Sequence, residues 1–109
     1  MPTTYKVLAQ SNPSATTNTT LYTVPSATST VVSTVTVCNQ ASTAGTFRIA
    51  VRPAAATLEA KHYLAYDTPI AANDTIALTL GITLATTDVV TVYASAATMS
   101  FNAYGSEIS

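Results

Sequence analysis

A chain of 109 residues in which 8% are charged, with a net charge of −1, has the length of one domain and an unusually neutral composition. Ordinary globular domains carry about 25% charged residues. Four Lys and Arg cannot neutralise a run of phosphates, so no nucleic-acid partner is expected, and a 48% hydrophobic content excludes a disordered tail.

In chain order, Thr4 to Ala9 reads as a short strand. "SNPSATTNTT" has the Pro, Ser, Thr and Asn clustering of a loop, which makes 1–20 an expected N-terminal arm or edge segment ahead of a domain over 21–109. Thr20 to Val24 is a brief strand stopped at Pro25. "TVVSTVTVC" from Thr30 to Cys38 is the first long one. Unbroken alternation puts Val31, Ser33, Val35 and Val37 on one side and Val32, Thr34, Thr36 and Cys38 on the other. Its outer face is therefore neutral hydroxyl rather than charged, the feature that most needs explaining.

Thr46 to Arg52 alternates cleanly, with Phe47, Ile49 and Val51 inward and Arg48 and Arg52 outward, ending at Pro53. "AAATLEAK" predicts one or two helical turns, and His62 to Tyr66 returns to strand. Thr75 to Leu84 holds period two from Ile76 through Leu78, Leu80 and Ile82 to Leu84. Asp88 to Ser95 and Thr98 to Tyr104 follow, read as a hairpin through Ala96 and Ala97. Roughly seven to nine short strands without helical periodicity predict an all-β, antiparallel sandwich, single-domain, with immunoglobulin-like and jelly-roll arrangements both open. The predicted core is Val35, Val37, Phe47, Ile49, Val51, Ile76, Leu78, Leu80, Ile82, Val90, Val92, Met99 and Phe101. No internal repeat of the kind a threonine-faced solenoid requires is present.

Groups able to carry chemistry are few and scattered. The single histidine, His62, lies near Lys61, Tyr63 and Glu59, a cluster expected at a solvated loop edge, and no Gly-x-Ser-x-Gly elbow accompanies it. Asp74 and Asp88 read as turn residues that cap local amides. The acids are too dispersed for a calcium loop, and one His with one Cys cannot build a zinc site, so no cofactor or metal is expected. Cys38 reads as a half-buried hydrophobe. Asn18-Thr19-Thr20 and Asn73-Asp74-Thr75 match the glycosylation sequon by chance in a Thr-rich chain. "MPTTYKVLAQ" lacks the charged and apolar regions of a signal peptide, and no apolar run reaches the roughly 18 residues of a membrane helix. Expectations are therefore synthesis in a cytoplasm and no membrane partner. Most of the six tyrosines are expected at the core or its rim, with Tyr63 and Tyr66 the pair beside a loop that could meet a ligand.

Taken in order, "LYTVPSATSTVVSTVTVCNQ", "GTFRIAVRP", "LAYDTPIAANDTIALTLGITLATTDVVTVYAS" and "FNAYGSEIS" resemble small accessory virion proteins of tailed bacteriophages, particularly those infecting cyanobacteria. The resemblance spans about Leu21 to Ser109 and rests on a Tyr-Thr-Val-Pro opening, a Val and Thr strand ending in Asn, a Pro-x-x-x-Asn-Asp-Thr turn and a closing Gly-x-Glu-Ile. A second turn that usually carries Gly-Asp is Thr87-Asp88 here. The resemblance implies a non-enzymatic β-sandwich on the particle exterior, assembled in the host cytoplasm. A capsid decoration (cement) protein is the first expectation; a tail, baseplate or fibre module, or a carbohydrate-binding domain for host adsorption, is the alternative. Expected partners are the major capsid protein or other virion proteins and further copies of the chain. Expected contact residues are Tyr5, Lys6, Tyr63 and Tyr66.

Overall fold

A computed structural model describes residues 2–109. It contains β1 (Thr3–Ser11), β2 (Thr19–Thr23), β3 (Ser29–Asn39), β4 (Gly45–Arg52), β5 (Tyr63–Ile70), β6 (Thr75–Leu84), β7 (Val89–Ala94) and β8 (Met99–Ile108). The helix-friendly segment between β4 and β5 forms two single 3₁₀ turns, Pro53–Ala55 and Ala60–His62. Among the described residues, no helix is long and apolar enough to cross a membrane.

The strands form nested antiparallel pairs: β1 with β8, β2 with β7, β3 with β6 and β4 with β5. Pairing of β3 with β8 and of β4 with β7 joins them into two four-stranded sheets, β1-β8-β3-β6 and β2-β7-β4-β5. This is the jelly-roll winding, in which a long antiparallel ribbon folds over on itself. Of the two arrangements the sequence left open, this is the one present. Every connection except β4 to β5 passes from one sheet to the other. The expected hairpin at Ala96 and Ala97 is therefore an arch across the sandwich, because β7 and β8 lie in different sheets. Turn residues serve both kinds of connection equally well.

Within the N-terminal segment, β1 is an edge strand of its sheet. β1 pairs with β8 from Thr3 to Ser11, so it belongs to the sandwich rather than hanging from it. Removing it would expose the ladder of β8.

The sheets enclose an apolar layer in which Val32, Val35, Val37, Phe47, Ile49, Val90, Val92, Met99, Phe101 and Ala103 are buried. Phe47 and Phe101 meet edge-to-face across it, ring centroids 6.3 Å apart. Total accessible area is 5431 Å², close to the roughly 5,700 Å² that area scaling gives for this mass. Asn39, buried at one end, donates from Nδ2 to the carbonyls of Thr43 and Ala71 and accepts from the Ala41 amide, holding the end loops together.

Two expectations of facing are corrected by irregularities in one sheet. Between the Val32–Gly105 and Thr34–Tyr104 pairs, Ser33 is an extra residue of β3 relative to β8. The bulge reverses the alternation, so Thr30 and Val32 point inward while Val31 and Ser33 face out. On β6, Leu80 and Gly81 together oppose Ser33, and Gly81 takes φ 60° there. Leu80 is consequently exposed rather than core. Val51, Ile76, Leu78 and Ile82 face the core but are only partly buried.

Candidate functional site

On the outer face of β2-β7-β4-β5, cross-strand register sets Arg48 of β4 beside Tyr93 of β7. The β4–β5 register slips between the Phe47–Thr68 and Ile49–Ala65 pairs, which places both Tyr66 and Asp67 opposite Arg48. Asp67 adopts φ 48° at this slip. The Arg48 guanidinium lies 4.2 Å from the Tyr66 ring centroid and 4.1 Å from that of Tyr93. Its Nε donates to Asp67 Oδ1 at 2.6 Å and its Nη2 to Oδ2 at 3.3 Å. The Asp67 hydrogen bonds raise the Arg48 pKa above its ordinary value. The cation is thus committed to one carboxylate and two rings.

Tyr63 and Tyr66 stand edge-to-face, centroids 4.8 Å apart, and with Leu58 and Ala60 line a shallow depression. The structure therefore brings this expected pair together and adds Arg48, Asp67 and Tyr93 to it. The sequence showed Arg48 pointing outward; its neighbours depended on strand register and on a slip that no local pattern marks.

The other expected contacts, Tyr5 and Lys6, belong to the opposite sheet. Tyr5 is 83% exposed on its outer face. Lys6 Nζ instead forms an ion pair with Glu107 at 2.7 Å. Glu107 also accepts a short hydrogen bond from the Tyr22 hydroxyl, which lies 2.9 Å from Thr30 Oγ1. Four strands, β1, β8, β2 and β3, and both sheets are joined by this chain of groups. Burial, reinforced by the Glu107 carboxylate, pushes the Tyr22 phenol up to about 12. The Lys6 ammonium and the Tyr22 hydroxyl hold the Glu107 carboxyl below its usual value. Lys6 is thereby a tie within the domain more than a free contact.

The threonine coat resolves into rows across β1-β8-β3-β6. Register aligns Tyr5, Ser106, Val31 and Thr83; Val7, Tyr104, Thr34 and Thr79; Gln10, Asn102, Thr36 and Ala77; and Ser100, Cys38 and Thr75. No row contains a charged side chain. Neutral hydroxyls and amides are cheaper to desolvate than ions, so the face suits close docking.

The remaining polar groups have structural partners. His62, expected to be solvated, is buried; its Nδ1 accepts from the Glu59 amide at 3.0 Å, and it lines a surface depression together with Val51, Pro53 and Leu64. Asp74 Oδ1 accepts from the Thr75 amide at 2.8 Å, and Asp88 accepts from Ala85 at 2.9 Å and Ala54 at 2.8 Å. Thr87 holds φ 73°, the conformation that glycine would take at that turn. Among the described residues, no three His, Cys, Asp or Glu side chains are grouped to hold a metal. Comparison with protein-family models, curated proteins and solved structures finds no match for the chain.

Proposed function

We propose that the chain is a non-enzymatic structural protein of a tailed-phage particle, a decoration protein docked on the major capsid protein at the head exterior. The observation that carries this reading is the uncharged outer face of β1-β8-β3-β6, continuous over four strands. Such a face gains affinity from area and fit, since four basic and five acidic residues supply no strong complementary field. Many copies on a lattice make weak individual contacts sufficient.

The test is quantification of the protein in separated heads and tails, with wild type compared against Thr36→Lys and Asn102→Lys. Copies in proportion to the capsid protein, held equally at low and high salt and released by either lysine, support decoration. Purification with tails alone replaces it with the tail-module reading, and absence from particles overturns both.

A second reading follows from the Tyr63–Tyr66 pair. Its paired rings beside Leu58 and Ala60 offer a stacking surface for a sugar ring in host adsorption. Glycan-array binding abolished by Tyr66→Ala supports that role; no binding by wild type ends it.

A further inference from the structure

β6 ends its sheet and pairs with β3 alone. The Asn39 amide donates to the Asp74 carbonyl at 2.9 Å, which makes Cys38 and Thr75 a non-hydrogen-bonded pair. Antiparallel alternation then turns the amide and carbonyl of Ile76 and Leu78 toward β3. Those of Thr75, Ala77 and Thr79 turn toward the open edge. The Thr75 amide is already held by Asp74 Oδ1; the Ala77 and Thr79 amides and all three carbonyls are presented outward.

The other edges carry protection. β2 has only five residues; β5 contains Asp67, Pro69 and a register slip; β1 contains Lys6 and a bulge at Leu8. From Thr75 to Thr79 the β6 edge has no charge, proline or bulge. A strand of that kind is a template for pairing with another chain.

We propose that this edge joins two copies of the chain, their β6 strands antiparallel about a two-fold axis through Ala77. The sequence identifies the occupant. "TIALT" is chemically symmetric about its centre, so Ala77 meets Ala77 of the second copy, Thr75 meets Thr79, and Ile76 meets Leu78. In an isologous pairing each residue meets its counterpart across the axis, and here every such meeting is of like with like, apolar with apolar and hydroxyl with hydroxyl, so the strand is complementary to a second copy of itself. The register also sets the outward backbone groups of the two strands against each other. Moving the axis to Leu78 brings the Leu80–Gly81 irregularity into the ladder, and moving it to Ile76 sets Asp74 against Leu78. In the proposed register the half-exposed Ile76 and Leu78 cover one another. Two four-stranded sheets become one of eight strands, and the uncharged outer face doubles in extent.

The test uses the purified full chain in sedimentation equilibrium and does not depend on any particle. Wild type is expected as a dimer. Ala77→Lys and Ala77→Glu each place like charges across the axis and are expected as monomers with unchanged circular dichroism, since Ala77 is exposed on the outer face. Mixing the two variants in equal amounts at low salt should restore the dimer, which a merely destabilised fold cannot do. A wild-type monomer at millimolar concentration overturns the proposal. So do variants that remain dimeric, or a mixture that stays monomeric.

Discussion

The Ser33 hydroxyl donates to the Tyr104 carbonyl oxygen at 3.1 Å, closing the bulge at which β3 changes which of its faces is buried. Val32 and Val35 both point inward because one residue is inserted between them in the pairing. Val32→Ala removes two buried methyl groups and should cost about 2 kcal/mol by chemical denaturation. Val31→Ala and Leu80→Ala should each cost less than about 1 kcal/mol. A larger loss at Leu80 than at Val32 would show that the strand keeps unbroken alternation.

Gly105 is required by close approach. A Cβ there would lie 1.9 Å from the Val31 carbonyl oxygen, a backbone atom that cannot rotate away. Gly105→Ala should destabilise by about 3 kcal/mol or more, beyond ordinary overpacking, because β8 and β3 must separate. Thermal melting of the variant gives the answer, and an unchanged midpoint contradicts the register.

Thr87 holds a left-handed conformation that is costly for a β-branched residue. Thr87→Gly should relieve about 1–2 kcal/mol of strain, partly offset by the greater freedom glycine gives the unfolded chain, for a net gain of about 0.5–1 kcal/mol. A lower melting temperature in the variant would mean that the Thr87 side chain contributes more than its backbone loses.

The Lys6–Glu107–Tyr22 tie should make stability fall at both ends of the pH scale. The Glu107 pKa is lower in the folded state, so its contribution is present above the ordinary value of 4.5 and fades as pH falls through the folded pKa. The Tyr22 pKa is raised from 10.0 to about 12, so its contribution is present below pH 10 and is lost as pH climbs toward 12. Tyr22→Phe should remove the alkaline loss and weaken the acid one, while costing about 1 kcal/mol at neutral pH for the broken hydrogen bonds. Denaturation midpoints across the pH range test the sign at each end; an alkaline decline unchanged in Tyr22→Phe assigns it to other groups.

Part of the candidate site was legible before folding. Tyr63 and Tyr66 stood out as a pair beside a loop, and Arg48 as an outward residue of a cleanly alternating strand. That Tyr93 and Asp67 complete the cluster could not be read, because it needs the β4–β7 register and the β5 slip. In the sequence Lys6 is the one charge in the N-terminal segment and reads as a contact residue. Its real partner, Glu107, lies at the far end of the chain.

Sequence by itself determined the all-β class, the approximate strands, the buried side of β4 and the neutrality of the surface, since period-two alternation and composition are local properties. Only the tertiary structure decided the jelly-roll winding, the arch between β7 and β8, the inward turn of Val32 and the exposure of Leu80. Each of these depends on which strand pairs with which, and in what register. Hydrogen bonds between residues dozens of positions apart set that choice, and a bulge of one residue reverses a face without altering any local hydrophobic pattern.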